Sequence, residues 1–438
     1  MIKSRLTTDI TPAKNLDEIW KNFDPMLTMD PRTEFYIQRT DPEIRKLFFD
    51  LKKSQGIIHA FLCGHRGSGK TTELNRLCQD EDIQNKYHTL YLSIQDFGSE
   101  TVHLTHDAVL LEMGLALTKQ GKEIGLPALY EKELEDWGKE VVKTFLKDKN
   151  ASAEVSTKVG AWFTYFKAQL GIRQEWKREE KQILEPRVQD LVGILNRLAR
   201  EFKNRGGKEL LVVVDDLEKG DSDAHREMHK RLFLENYDTM VQPRFSIVYT
   251  LPVYFRALES NRVPNDQLYA FSAVRLYEQK NKHHIKPPLC TGSKGYKLMR
   301  GFVEKRIAKP GDFFAPGVLD ELLRIGGGLF RETARAVREA AYLALQEGDK
   351  KIGMAHAEYV FHQVKKEYQP VIRGDAVSIL KQVSASVQGW VPGVEPFLQS
   401  RAVVEYENHN LWIDVRYVLK SYIQEIKIDG SPGPAPGV

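Results

Sequence analysis

Cysteine is nearly missing from this chain: Cys63, Cys78 and Cys290 are the only three in 438 residues. None stands in C-x-x-C spacing, which excludes a disulfide framework and a zinc ribbon and points to a reducing compartment. No run approaches the ~20 apolar residues that span a bilayer. The start, Met1-Ile2-Lys3-Ser4-Arg5, lacks the apolar run of a signal peptide. A charge excess is lacking too. With 64 basic and 60 acidic residues the formal charge is +4, too mild by itself to imply nucleic acid. These absences predict a cytoplasmic chain with no membrane partner. What is present is an ordinary globular mixture, 42% hydrophobic and 28% charged. The length allows roughly two to four domains.

The informative stretch is Gly64-His65-Arg66-Gly67-Ser68-Gly69-Lys70-Thr71, which fits the phosphate-binding pattern G-x-x-x-x-G-K-[ST]. The apolar run Ile57 to Cys63 leads into it as a buried parallel strand, and Thr72-Glu73-Leu74-Asn75-Arg76-Leu77 begins a helix behind it. The glycines let backbone N–H groups close around a β-phosphate, and the helix N-terminus adds partial positive charge. Lys70 is expected to reach the β- and γ-phosphates, and the Thr71 hydroxyl to sit on Mg²⁺. The expected cradle thus comprises Gly64 to Thr71 with Thr72. The ligand expected there is a nucleoside triphosphate, ATP with Mg²⁺.

The second anchor is Leu210-Leu211-Val212-Val213-Val214-Asp215-Asp216-Leu217-Glu218. Its apolar run reads as a strand buried on both faces, with acids emerging at the C-terminal edge where open α/β sheets place ligands. Asp215 is expected to hold Mg²⁺ through water, and Asp216 to orient or activate the attacking water. Phe245 to Thr250 reads as a further buried strand, with Thr250 placed to contact the γ-phosphate or that water, or to serve structure alone.

The remaining elements follow from periodicity. An arm over 1–34 is expected to pack on the nucleotide domain. Phe35, Tyr36 and Ile37 are either an apolar slot for the base or plain core, and Asp41-Pro42-Glu43 starts a helix running to Lys53. Tyr87 to Ile94 reads as a strand and Asp107 to Gln120 as a helix. An insertion over about 121–205 holds a charged helical part and a β-hairpin. In the hairpin, 153–159 pairs with Trp162, Thr164, Phe166, Ala168, Leu170 and Ile172. The chain returns on a long amphipathic helix that stops at Gly206-Gly207. Ser272 to Tyr277 is expected to be the last strand of the sheet, and 279–293 an exposed lysine- and proline-rich linker.

Residues 290–372 read as a helical lid with helices Leu298 to Ile307, Val318 to Ile325 and Glu332 to Gln346. Gly326-Gly327-Gly328-Leu329-Phe330-Arg331 forms a flexible turn able to aim Arg331 at phosphates, whereas Arg335 and Arg338 read as solvated charge. In 373–428, helices followed by a hairpin (Ala402 to Glu407, Leu411 to Val415) spell a winged helix. From Asp375 to Asp429 it has five basic against seven acidic residues, and a wing carrying Glu405, Glu407 and Asp414 is expected to repel phosphate. The tail 429–438 reads as disordered. His225-Arg226-Glu227-Met228-His229 misplaces its glutamate for a zinc site and is rejected, and His283-His284 read as surface residues.

The expected architecture is therefore α/β: a P-loop NTPase parallel sheet with an inserted β-hairpin and helical element, a helical lid and a C-terminal winged helix. On the loop Gly64–Thr71, the strand Val212–Asp216 and the lid turn, the chain resembles the bacterial AAA+ and STAND (NACHT-like) P-loop ATPases over residues 35–428. Its lid turn, Gly328-Leu329-Phe330, departs from the Gly-x-Pro usual in that family. The resemblance implies ATP hydrolysis and nucleotide-dependent self-association, with an arginine finger from a neighbour among Arg256, Arg262 and Arg275. Many relatives carry glutamate where Asp216 stands, so Asp216 and Glu218 compete for the role of catalytic acid.

Three functions fit. The first is a slowly hydrolysing switch that controls a separate protein effector, as in bacterial defence or signalling. The second is a DNA-acting loader, remodeller or transposition-type regulator. For it, residues 121–205 carry 17 basic against 14 acidic residues, among them Lys158, Lys167, Arg173, Lys177 and Arg178. A small-molecule kinase is the third and fits least, because the insert and C-terminal domains suit a switch better.

Overall fold

Short apolar runs bounded by turns become the central strands. In this computed structural model the described residues are 6–7, 10–94, 104–147, 178–258, 262–370 and 372–426. The hairpin expected at 153–172, with its basic residues, and the tail 429–438 lie outside them. In chain order the strands are β1 Leu6–Thr7, β2 Thr28–Met29, β3 His59–Gly64, β4 Tyr87–Ser93, β5 Glu209–Asp215, β6 Ser246–Pro252, β7 Leu268–Phe271, β8 Val403–Glu407 and β9 Leu411–Val415.

Five strands form one parallel sheet in the order β4-β5-β6-β3-β7. Both faces are covered, so Leu211, Val212, Val213 and Val214 are all fully buried, as an uninterrupted apolar strand requires. Strand β6 lies between the strand that feeds the phosphate loop and the strand that ends in acids. Register then places Thr250 beside Leu62 on one side, while Val214 faces Tyr249 on the other. The final strand is Leu268–Phe271 rather than Ser272 to Tyr277. That later segment leaves the sheet because its backbone is used elsewhere: Ala273 N–H donates to Glu405 O, and Val274 N–H to Gly328 O.

The N-terminal arm packs mainly on the lid, not on the sheet. Its helix Leu16–Asn22 lies against the lid helix Phe330–Glu347. Arg338 pairs with Asp24 at 2.8 Å and stacks 4.0 Å over Trp20, so it is not solvated charge. Arg335 pairs with Glu367. The lid has a further helix, Met354–Tyr368, beyond those read from periodicity. The C-terminal domain is a winged helix, with helices Asp375–Ala385 and Glu395–Ser400, the β8–β9 hairpin and the closing helix Tyr417–Glu425. No helix among the described residues is long and apolar enough to cross a membrane.

Candidate nucleotide site

The phosphate loop owes its shape to backbone freedom at two positions. Gly67 (φ 83°) and Gly69 (φ 100°) occupy the left-handed region, where a side chain is strained. The helix Lys70–Gln79 starts directly behind them. Lys70 is buried, and its Nζ donates to Gly64 O and His65 O at 2.9 Å each. The same ammonium pairs with Glu218 Oε1 at 2.9 Å.

The acids at the end of β5 divide their tasks. Asp215 is fully buried; its carboxylate accepts from Tyr91 OH at 2.5 Å and from Asp216 N–H at 2.7 Å. Burial first, then the charges of Asp216 and Glu218, push its carboxyl well above the ordinary range, while Thr71 bonds it and opposes the shift. A divalent cation at Thr71 and Asp215 would relieve that crowding of carboxylates, so the residues fit the Mg²⁺ expected there.

Asp216 adopts φ 71°, a left-handed conformation that aspartate tolerates better than most residues. The turn directs its carboxylate to Ser93 Oγ (2.6 Å) and Lys219 Nζ (2.6 Å). Glu218, not Asp216, lines the cleft beside Lys70. Burial raises the pKa of Glu218, but Lys70 and a hydrogen bond with Thr250 outweigh it, leaving the carboxyl below its ordinary value. Thr250 also accepts from Leu217 N–H at 3.1 Å, so this strand-end hydroxyl fixes the acid loop. Beneath the loop, His229 donates from Nε2 to Leu217 O at 2.6 Å and accepts at Nδ1 from Tyr254 OH at 2.8 Å. That buried histidine is a buttress rather than a ligand.

A cleft of about 1000 Å³, including space open to solvent, runs from this loop to the arm. Phe35, Tyr36, Ile37, Met29 and Phe302 wall its far end, as a base slot requires, and Tyr36 OH donates to Glu73 at 2.6 Å. Gly67, Gly69, Lys70, Thr71, Thr72, Arg66 and Arg331 wall the near end. Arg331 sits on the loop itself: its N–H donates to Gly67 O at 3.2 Å and its Nε to Pro25 O at 3.1 Å. Arg331 Nη1, Arg66 Nε and Ser68 Oγ are buried without a hydrogen-bond partner among the described residues. Burial, then the charges of Arg66 and Arg401, lower the Arg331 pKa. Leftover donors and crowded cations are the environment an oligophosphate satisfies.

Gly64 and His65 face away from that cleft. The His65 ring meets the C-terminal domain, where its Nε2 accepts from Glu405 N–H at 2.8 Å. Burial first, then Lys70 and Arg401, drive its pKa down to about 3, so the ring is neutral and able to accept. Two of the three wing acids are not surface charge, and Glu407 is half-buried. Glu405 is buried against Arg256 (3.1 Å) and Ser272 (2.9 Å), and Asp414 against Lys420 (2.6 Å) and Tyr277 (2.8 Å). The expectation that they repel phosphate fails for these two.

Of the three finger candidates, Arg256 is engaged by Glu405, Arg275 by Glu278 and Arg262 by the exposed Asp238. Pattern reading missed Arg39, which is 2% exposed. It bridges Ser68 O (2.9 Å), Ser272 O (2.7 Å) and Asp41, and its guanidinium lies 4.0 Å over Phe271. No motif marks it. Ser93 was also missed, although a hydroxyl ending a strand beside the acid strand is the signal that singled out Thr250. A cluster of Glu347, Asp349 and His356 has metal-like composition, but Gly353 N–H donates to His356 Nδ1 at 2.9 Å. The ring proton therefore sits on Nε2, which faces both carboxylates and has no lone pair for a cation.

No protein-family model matches the chain, and no curated protein matches it. Among solved structures it is similar to the "walker-type atpase paby2304" of Pyrococcus abyssi, with 14% identity over 92% of this chain and 99% of that one, at TM-score 0.41. It is also similar to the ORC1 protein of Aeropyrum pernix in complex with DNA (12% identity, 93% and 96%, TM-score 0.39). A third similar structure is Cdc6p of Pyrobaculum aerophilum (14%, 90% and 97%, TM-score 0.36). These likenesses concern the fold alone. The architecture is a P-loop NTPase sheet with a helical lid and a winged helix.

Proposed function

We propose that this chain is an AAA+-type ATPase that works as a nucleotide-controlled switch. The carrying observation is the hydrogen bond from Glu405 N–H to His65 Nε2, which ties the winged helix to the phosphate loop. Arg331 ties the lid to the same loop at Gly67. A change at the phosphates therefore reaches both attached domains through one bonded neighbour each. In this reading Lys70 and Arg331 bind phosphate, Thr71 and Asp215 hold Mg²⁺, and ATP supplies the cleavable γ-phosphate. Glu218 is the better-placed acid toward the water, with Asp216 held in reserve by Ser93. Of the finger candidates, Arg262 is the most exposed and suits a contact with a second copy.

The test is nucleotide binding and particle mass, with ATP–Mg²⁺ and with ADP, on wild type and Lys70→Ala. ATP binding weakened about 100-fold or more in Lys70→Ala is expected. Equal affinity in Lys70→Ala would remove the site assignment. Larger particles with ATP alone support self-association; an unchanged mass refutes it for the isolated chain.

For the output, action on DNA is better supported than a protein effector. Burial of Glu405 and Asp414 removes the main electrostatic objection. Residues 279–297 carry five lysines and two histidines with no acid, and Lys280, His283, His284, Lys286, Lys294 and Lys297 are all exposed there. Fluorescence anisotropy with duplex DNA over a salt series checks this. Affinity should fall with salt, and joint charge reversal of Lys280, Lys294 and Lys297 should lower the salt slope by about 3. No binding at low salt refutes it.

A further inference from the structure

We propose that Gln399, in the C-terminal domain, is a positioning residue for hydrolysis, acting on the acid loop from outside the ATPase sheet. The inference rests on the ATPase reading of the cleft. The acid loop runs from Leu217 to Ser222 and carries Glu218 to Lys70. On its inner side it is fixed at Leu217, by Thr250 at the N–H and by His229 at the carbonyl. On its outer side the fixing groups come from the winged helix.

Gln399 is 7% exposed, and its Nε2 donates to Gly220 O at 2.9 Å and to Ser222 O at 3.4 Å. Its Oε1 accepts from Arg226 Nη1 at 2.8 Å, which fixes the sense of the amide. Arg226 stands on the helix Asp223–Lys230 that opens at Ser222 and bears His229. Two residues on, Arg401 sits 3.6 Å from Asp221 and 3.5 Å from Glu332 of the lid. The end of the helix Glu395–Ser400 thus touches the loop at Gly220, Asp221 and Ser222, where the loop has no strand or helix of its own.

A primary amide is the group this place requires. One end must accept from a guanidinium while the other donates to two carbonyls, and a carboxylate would set negative charge against both carbonyls. Breaking the Gln399 bonds withdraws the outer tether and leaves Leu217 fixed from within. Glu218 then loses its set position beside Lys70 while the phosphate cradle stays built. Loss of this one tether lowers turnover and spares nucleotide affinity, which the winged helix reaches by the separate bond from Glu405 N–H to His65.

The experiment compares full-length wild type with Gln399→Glu and with Gln399→Ala, which removes the amide without adding charge. It reads kcat and KM for ATP–Mg²⁺, equilibrium binding of a fluorescent ATP analogue, and amide hydrogen exchange over 217–222. Expected in Gln399→Glu are a kcat fall of about tenfold with KM and binding within about twofold. Exchange over 217–222 should rise about tenfold while β3 and β5 stay protected. Gln399→Ala should follow in the same direction. A kcat equal to wild type, unchanged loop exchange, or kcat and binding falling together each overturns the proposal alone. A wild type that neither binds nor hydrolyses ATP overturns the ATPase reading, and this proposal with it.

Discussion

The molecule contains two buried lysine–carboxylate pairs of similar chemistry and opposite use. Lys70 meets Glu218 at 2.9 Å at the mouth of the cleft; Lys420 meets Asp414 at 2.6 Å inside the winged helix. The second pair is sealed: Tyr277 OH also donates to Asp414 Oδ2, Lys420 Nζ reaches Lys282 O, and Trp412 is fully buried in the same domain. Burial pushes both members of that pair toward their neutral forms, raising the Asp414 pKa and lowering that of Lys420. At the cleft the balance reverses. Glu218 stays below its ordinary pKa because Lys70 and Thr250 outweigh burial. Access separates a staple from an exchangeable pair: Lys70 lines an open cleft and, on the proposed reading, trades a carboxylate for a phosphate, whereas Lys420 is sealed.

The sharpest test of this contrast removes one member from each pair. Asp414→Ala leaves a buried ammonium without its carboxylate and should cost about 3–5 kcal/mol of stability. Lys70→Ala leaves a buried carboxylate too, but Glu218 lines a cleft that water enters, so the cost should be smaller, about 2 kcal/mol. Urea unfolding of both variants at neutral pH checks the difference. Equal losses would erase the distinction between sealed and exchangeable pairs.

A smaller effect is expected at Glu218. Glu218→Gln keeps the size and removes the charge that competes with phosphate for Lys70. ATP should bind about fivefold tighter, a gain of about 1 kcal/mol. Turnover should fall about 100-fold if this carboxylate serves the water. Calorimetry and steady-state kinetics on one preparation read both. Tighter binding with full turnover would return the catalytic task to Asp216.

The same contrast explains what the sequence made legible. The strand, loop and helix around Gly64 to Thr71 could be read because the glycines that need left-handed backbone and the helix start behind them stand at fixed spacing. The run Val212 to Asp216 could be read because a strand buried on both faces must be apolar throughout. The last strand is misplaced because Leu268 to Phe271 and Ser272 to Tyr277 both supply buried apolar residues, Ala273, Val274, Leu276 and Tyr277 in the second. Which one joins the sheet depends on Gly328 and Glu405 claiming the backbone of the second. Arg39, Ser93 and Gln399 lie far in sequence from the groups they hold, so no local spacing announces them. The wing acids misled for the same reason: Glu405 and Asp414 count as charges in a composition, and only their partners Arg256 and Lys420 show that they face inward.

An effect seen only against pH is expected at His65, one of the four positions that the phosphate-loop pattern leaves free. The fold uses it as the docking point of the winged helix, and only the neutral ring can accept from Glu405 N–H. Its folded pKa, about 3, lies below the ordinary 6.5, so the unfolded chain binds the proton more readily than the native one. The stabilisation is therefore complete above about pH 6.5 and is lost as pH falls toward 3. His65→Gln retains an acceptor for Glu405 N–H and does not titrate. Stability measured from neutral pH to pH 5 should decline less steeply in the variant, by about 1.4 kcal/mol per pH unit at most. Some slope should survive, because burial also lowers His229 to about 4. Identical slopes in the two proteins would mean that His65 is not the hinge between loop and winged helix. A flattened slope would show that a residue outside the motif's fixed positions joins the nucleotide site to the domain that answers it.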